Sequence, residues 1–469
     1  MSESWIVRLP AREIAARVRA KELSATGVLE AHLEQTAREN PKVNAICTLA
    51  EEKARGWAAE IDAKIAAGAD PGPLAGVPVG IKDVHPTAGI RTTWGSPTMA
   101  DHVPSEDGAT VQRIKAAGGV VMAKTNTPEY AAGANTYNDV FGATRNPWDL
   151  RMSASGSTGG GAAALAARMV ALADGSDLGG SLRTPASFCG VVGVRPTPGL
   201  VPIYPTSRSF DFLAVAGPMA RDVADSALLL QALAGEDPRD PRTFPLGARD
   251  FVAAAAKPVE GMRVAFVADF AKIGVEPEIA EICRAAAYQL GTWGAKVEEI
   301  DLDLSFAREA FLQLRGQWMV QTHLDRIGIV DRFNPNLAGN IRRGLAQGPK
   351  DIAAGEHARN KLVQAWRKVY ERFDAVCCPC APVAPFPVEQ NYPETIAGRK
   401  LTSYIDWVAP TFLVTMAAMP AISVPAGLDS NKLPVGLQIV ARRHREEDAL
   451  ALAAKVEKMR PIGFAPSHG

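Results

Sequence analysis

Residues 153–189, SASGSTGGGAAALAARMVALADGSDLGGSLRTPASFC, decide how the rest of the chain is read. Two glycine-rich turns, SGSTGGG and GSDLGGS, bracket an alanine-rich segment at 162–173 that predicts a helix. Each turn sets a serine among glycines, Ser157 in the first and Ser181 in the second. Glycine opens backbone angles closed to other residues and lets a ligand approach the main chain. Such a turn can expose a hydroxyl and aim several N–H groups at one point. Those are two requirements of acyl transfer, a nucleophile and an oxyanion hole. Serine also suits ordinary turns and helix caps. This pair stands apart because two turns flank one segment, with a Lys-Asp dipeptide upstream at the end of an apolar run.

That run is PGPLAGVPVGIKD at 71–83. Val77, Val79 and Ile81 are β-favouring residues after a Gly/Pro cluster, which predicts a short buried strand ending on Lys82-Asp83. A lysine placed there faces either water or a site. Upstream, 10–67 reads as a helical layer, with Ser24 or Thr26 as a cap, a break at Asn40-Pro41 and a second helix over 50–67. Downstream, 109–117 reads as a helix and 120–123 as a strand leading into KTNTPEYAAG. In α/β sheets, ligands sit outside the carboxyl ends of strands. A strand at 191–194, a proline-rich loop up to Pro218 and a helix at 223–234 follow the two turns. Beyond a Gly/Pro/Asp-rich connection, strands are expected at 263–268, 296–300, 373–378, 421–424 and 436–440. Helices are expected at 276–290, 304–326, 351–372 and 446–458, with 327–350 as a lid or a wall. Strand-helix alternation at both ends predicts an α/β fold, one large α/β/α sandwich on a mixed central sheet with helices on both faces.

At 469 residues, with 47% hydrophobic and 22% charged residues, the chain is ordinary for a soluble globular protein. Lys+Arg and Asp+Glu are equal at 51 each, so charge makes no case for a nucleic-acid or membrane-surface partner. The N-terminal MSESWIVRLPAREIAARVRAKE lacks the apolar core of a signal peptide, and no apolar run is long enough to span a bilayer. Six cysteines are too sparse for a disulfide scaffold, which makes a reducing cytoplasm the expected compartment.

A serine hydroxyl needs a base. Of the seven histidines only His85 and His102 fall in loops near the expected site, so a triad built on His85 stays open. The G-x-S-x-G elbow is not matched, because serine is not central in GSTGG. Lysine serves as base if burial lowers its pKa towards neutrality. Lys82 would then reach its nucleophile through a relay, and a second serine supplies one. Cys377-Cys378-Pro379-Cys380 has neither the spacing nor the second half of a zinc site, so buried strand cysteines are expected and no metal. The first glycine turn lacks the G-K-[ST] ending of a phosphate loop. Trp318, Tyr404, Trp407 and Phe412 line either an acyl or aryl pocket or the core.

VPVGIKD, AKTNTPEYA, SGSTGGG, GSDLGGSLRTPASFCGVVGVRPT, GPMARDVAD and PAISVPAG…LPVGLQIV together resemble the amidase signature family in order and spacing. The resemblance covers most of residues 10–458. It implies a single amidase domain over 1–469, with the triad core at 70–235, a less typical substrate-pocket or lid region near 300–415, and closing strands and helix at 419–458. By the same resemblance, Ser181 is the nucleophile, Ser157 the proton relay held in a cis peptide, and Lys82 the general base. Leu178, Gly179, Gly180 and Ser181 supply backbone N–H groups to the oxyanion, and Ala131 begins the acyl pocket. Asp177 braces the loop, with Thr158 and Arg183 supporting. The family's more common relay turn is GGSSGGS, whereas Ser155, Thr158 and Gly161 differ here. TFLVTMAAMPAIS likewise departs from a Phe-Asn-Leu-Thr-Gly pattern, so a different substrate preference is expected.

The implied activity is that of a serine amidase, cleaving a carboxylic amide to acid and amine through an acyl-enzyme, without cofactor. The same route admits aryl amides, esters and carbamates (urethanes). The expected partner is a small-molecule amide, with no nucleic acid and no membrane, and a homodimer is left open. The chief alternative is the glutaminase subunit of a tRNA-dependent amidotransferase. The short tail after the closing helix and the neutral charge weigh against it. A catalytically silent scaffold of the same fold is the non-enzyme alternative, disfavoured because all three triad positions carry the required residues.

Overall fold

Short extended segments recur along the chain, and eleven of them pair into one sheet, of which one edge, Lys296–Glu299, is largely exposed. The computed structural model describes residues 4–468. The strands are β1 (Ile46–Leu49), β2 (Pro78–Lys82), β3 (Val120–Thr125), β4 (Leu172–Asp177), β5 (Val192–Arg195) and β6 (Val215–Ala220). They continue with β7 (Arg263–Phe266), β8 (Lys296–Glu299), β9 (Ala375–Pro379), β10 (Ala421–Leu428) and β11 (Pro434–Ala441). Their order across the sheet is β1-β3-β2-β4-β6-β5-β10-β11-β9-β7-β8. Pairing is parallel for β3/β2/β4 and for β9/β7/β8, and antiparallel through the centre. The sheet is mixed, as expected, and its two edge strands, β1 and β8, do not pair with each other.

Alternation along the strands shows that both faces are covered, because successive side chains point to opposite sides. In β9, Ala375 and Cys377 join one apolar cluster while Val376 and Cys378 join another; β7 divides Val264 and Phe266 from Ala265 in the same way. The first cluster takes in the helices Ala25–Val43, Glu51–Ala66, Val223–Leu233, Pro277–Gln289 and Glu446–Met459. The second takes in Arg308–Thr322, Pro349–Arg372 and Ala409–Met416. Burying each Leu, Val or Phe side chain contributes roughly 1.5–3 kcal/mol, which makes a register slip costly on either face. Among the described residues no helix is long and apolar enough to cross a membrane.

Several elements differ from the sequence expectation. The helix between the glycine turns is Gly159–Ala166 and not 162–173, because Leu172 already starts β4, paired with β2 and β6. Ladder pairing overrides the helix propensity of Ala171-Leu172-Ala173. The second turn therefore hangs from a strand end. Residues 215–218, read as the end of a loop, belong to β6 despite Pro218, which lies where β4 is the paired neighbour and β5 joins only from Met219 onwards. Ile46–Leu49, inside the helical reading, is an edge strand. Ser24 caps its helix through its Oγ, as one of the two expected candidates, but that helix runs through Pro41 to Val43 and ends at left-handed Asn44. A proline in the last turn costs one hydrogen bond without stopping the helix.

Candidate active site

β2, β3 and β4 run parallel, so their carboxyl ends open on one edge, and there Asp177 comes near enough to Lys82 for their charges to interact. Lys82 closes β2. Its backbone N–H donates to Asp174 Oδ1 on β4 at 2.8 Å, so a side chain continues the ladder. The Lys82 Nζ lies fully buried and donates to Ser157 Oγ at 2.7 Å, Thr158 Oγ1 at 2.9 Å and Ser176 Oγ at 3.1 Å. All three acceptors are neutral. Burial lowers the Lys82 pKa from 10.5 to about 7, although the nearby Asp177 and Asp174 charges pull it back up. An amine in this state is half unprotonated near neutrality and has hydroxyls in reach.

The first glycine turn is fixed from several sides. The Gly156–Ser157 peptide is cis. Thr184 Oγ1 donates to the Gly156 carbonyl at 3.2 Å, and Thr136 Oγ1 donates to that of Ser155 at 2.8 Å. Gly160 belongs to this turn because no side chain fits: a Cβ there would stand 2.3 Å from the Asn126 nitrogen. The Thr158 N–H donates to the Ser181 carbonyl at 3.2 Å and so stitches the two turns together.

Asp177 organises the second turn. Its Oδ1 accepts from the Gly180 N–H and its Oδ2 from the Leu182 N–H. Arg183 binds both oxygens at 2.9 Å, and Arg195 reaches Oδ1 at 3.1 Å and the Asp177 carbonyl at 2.7 Å. Burial pushes the Asp177 carboxyl up, but the two guanidinium groups outweigh it and hold it well below the usual range. Arg183 carries the bracing on to the Thr411 carbonyl and Gln438 Oε1. Gly180 adopts φ +121°, and a Cβ there would meet Thr411 Oγ1 at 2.2 Å. Its N–H is engaged by Asp177, whereas the Gly179 and Ser181 N–H groups have no acceptor among the described residues.

Ser157, Ser181, Leu178, Gly179 and Ala131 all line one cavity of about 510 Å³, floored by the two turns. Ala131 and its neighbour Tyr130 both take positive φ, which turns the chain at the cavity wall. Trp318 and Tyr404 line the cavity, whereas Trp407 and Phe412 are core: Trp407 stacks on Phe188 and Phe412 on Phe311. His85 also lines the cavity, with its Nδ1 2.5 Å from Asp174 Oδ2. No hydrogen bond joins His85 to Ser157 or Ser181 among the described residues, whereas the Lys82 amine contacts Ser157 Oγ directly. Cys377, Cys378 and Cys380 are buried and free; burial pushes the Cys378 and Cys380 thiols up to about 12. No group of potential metal ligands occurs among the described residues.

Ser176, Arg195 and Asp174 are not singled out by the sequence. Ser176 precedes Asp177 by one residue and is overshadowed by the glycines that follow. Arg195 ends β5, and only strand order brings it to Asp177. Thr158 keeps the first glycine turn connected despite its departure from serine, because its Oγ1 accepts from Lys82 and donates to the Ser176 carbonyl at 3.3 Å. Lys124, fully buried on β3, donates to the His85 carbonyl, Thr87 and Thr92, and so pins the loop after Lys82.

Comparison with known proteins places this arrangement in context. The amidase family model matches residues 27–450. An acylamidase of Rhodococcus erythropolis is 35% identical, over 98% of this chain and 97% of that protein. A glutamyl-tRNA(Gln) amidotransferase subunit from Thermosynechococcus vestitus is 32% identical, over 96% of this chain and 98% of that one. A crystal structure of a bacterial aryl acylamidase of the amidase signature enzymes superposes with a TM-score of 0.90 at 28% identity, covering 96% of each chain.

Proposed function

The chain belongs to the amidase family, the amidase signature enzymes, and from that premise we propose that it is a serine hydrolase cleaving carboxylic amides through an acyl-enzyme on Ser181. The observation that carries this reading is the buried Lys82 amine, shifted to about 7, in contact with the Ser157 hydroxyl on the floor of the cavity that Ser181 lines. Neutral Lys82 takes a proton from Ser157 as Ser157 takes one from Ser181, and the Ser181 Oγ attacks the amide carbonyl. The Gly179 and Ser181 N–H groups stabilise the oxyanion, while the Gly180 N–H stays on Asp177 and fixes the loop that carries them. Losing one such donor typically costs on the order of 10²–10³ in rate. The C–N bond then breaks and Ser157, recharged from Lys82, protonates the leaving amine. Water attacks the ester and returns Ser181 with release of the acid. The acid-base and nucleophile roles need no metal or organic cofactor.

Aryl amides and carbamates are in scope for the same chemistry, and the relationship to acylamidases supports testing them first. The test is labelling with a fluorophosphonate probe, read by intact mass and peptide mapping, followed by a panel of amides, anilides and carbamates. A single adduct on Ser181, absent in Ser181→Ala, together with turnover of at least one panel member is expected. A folded, unlabelled and inactive protein overturns the reading.

A second reading, the glutaminase subunit of an amidotransferase, is favoured by the 32% identity to the Thermosynechococcus vestitus protein over nearly its whole length. Purification from the native host separates the two. Glutaminase activity that appears only with copurifying proteins supports the second reading, and hydrolysis by the isolated chain supports the first.

A further inference from the structure

The part of the cavity lining that the helix Arg308–Thr322 supplies carries an unusual charge arrangement. Arg315 is only 5% exposed, yet it makes no ion pair among the described residues. Its N–H groups go to Asn340 Oδ1 and to the Tyr404 hydroxyl, both neutral. A buried guanidinium normally sits beside a carboxylate, because removing the cation from water is costly without a counter-charge. The Tyr404 oxygen accepts from Arg315 Nη2 at 2.5 Å and from Asn340 Nδ2 at 2.6 Å. Two accepted bonds fill its lone pairs, so its own proton is left to donate, and no acceptor for it lies among the described residues. Arg315 and Tyr404 both line the cavity that holds Ser157 and Ser181.

The rest of the lining does not supply the missing anion. Asp177 is the one carboxylate among the described lining residues, and Arg183 and Arg195 hold it. Arg208, also in the lining, is engaged by Asp211 and Thr322 and lies over the Trp318 ring. Arg326 lies over the Tyr130 ring and has no carboxylate partner among the described residues. The cavity therefore presents cations and a hydroxyl donor, with no uncommitted anion.

We propose that Arg315 and Tyr404, with Arg326 in the same cavity lining, form a carboxylate subsite, so that the preferred substrate is an amide bearing an acid group on its acyl or its amine half. A guanidinium fork and a phenol proton complement the two oxygens of a carboxylate. This rests on the reading of the chain as an amidase.

Two matched pairs of substrates test it. Glutaryl-4-nitroanilide against pentanoyl-4-nitroanilide places the acid on the acyl half. N-pentanoyl-4-aminobenzoate against N-pentanoyl-4-toluidine places it on the amine half. In at least one pair, kcat/KM for the acid is expected to exceed that of its neutral counterpart by about ten-fold or more, as a charge-assisted contact would give. That ratio is expected to fall by a similar factor in Tyr404→Phe and Arg326→Gln. Both variants are checked by thermal melting, and both spare the buried arginine. Neutral members hydrolysed as well as or better than the acids in both pairs, or ratios unmoved in both variants, overturn the proposal. Failure of all four substrates is a failure of the amidase reading instead. The subsite is then decided by glutarate alone, which is expected to raise the melting temperature of the wild type more than that of Arg315→Met; equal shifts overturn it.

Discussion

At the scale of single residues, Lys82 and Asp177 show burial acting in opposite directions. Lys82 has only hydroxyls within hydrogen-bond reach of its amine, so desolvation wins and its pKa falls to about 7. Asp177 has two guanidinium partners, so attraction wins and the carboxylate stays charged. The sign for activity follows: below about pH 7 Lys82 is protonated and cannot accept a proton, and above it the amine is free. A kcat/KM profile for a neutral amide is therefore expected to rise through about pH 7, and Lys82→Met to abolish turnover while the melting temperature is kept. A flat profile across that range would remove Lys82 from the base role. Asp177→Asn leaves two buried arginines without their counter-charge. Breaking such a pair typically costs about 3–5 kcal/mol, and urea unfolding of the variant should report a loss of that order.

At the scale of elements, the site is assembled where strands stop. β2 ends on Lys82 and β4 on Asp177, on one edge because the two strands are parallel. The turn after β4 then runs into the helix Arg183–Cys189, with Ser181 just before it. Gly180 permits that turn, since both its φ of +121° and the Thr411 side chain 2.2 Å from a would-be Cβ exclude any larger residue without movement. Gly180→Ala is expected to displace the loop that carries the Gly179 and Ser181 N–H groups. A fall in kcat of about 10²-fold or more is expected, the size of effect seen when an oxyanion donor is lost. Steady-state kinetics beside a melting curve would check it; wild-type kcat in a folded variant would show that this loop does not hold the oxyanion.

At the scale of the molecule, the sheet divides two apolar layers, and the cavity lies beside the layer formed by Arg308–Thr322 and Ala409–Met416. The region 327–350, expected as a lid or a wall, is a 3₁₀ turn and the helix Pro335–Leu345 packed on Arg308–Thr322, and its Asn340 supports Tyr404 from behind. The cysteines test how closed these layers are. Cys189, Cys283, Cys377, Cys378 and Cys380 are buried and Cys47 is half-buried with its thiol also pushed up. Ellman's reagent on the native protein is expected to titrate at most about one thiol in minutes, because the thiolate is the reactive form. All six should react once guanidinium unfolds the chain. Several fast native thiols would mean that the layers open readily.

The local pattern of the sequence determined the α/β class, the strand at Lys82, most helices and the two serine turns. Glycine clusters, β-branched runs and helical periodicity are local signals and need no partner to be read. The overturned readings are those in which pairing decides: β4 claimed residues assigned to a helix, and β6 formed through a proline because its partner lies on the other side. The site divides in the same way. The residue types at Lys82, Ser157 and Ser181 stand in motifs, but only the tertiary structure brings Arg195, Ser176 and Asp174 to them from other strands or positions. It also separates Trp318 and Tyr404, which face the cavity, from Trp407 and Phe412, which fill the core. The absence of a carboxylate beside Arg315 is equally a tertiary fact, because a sequence records which charges a chain carries and folding decides which of them meet.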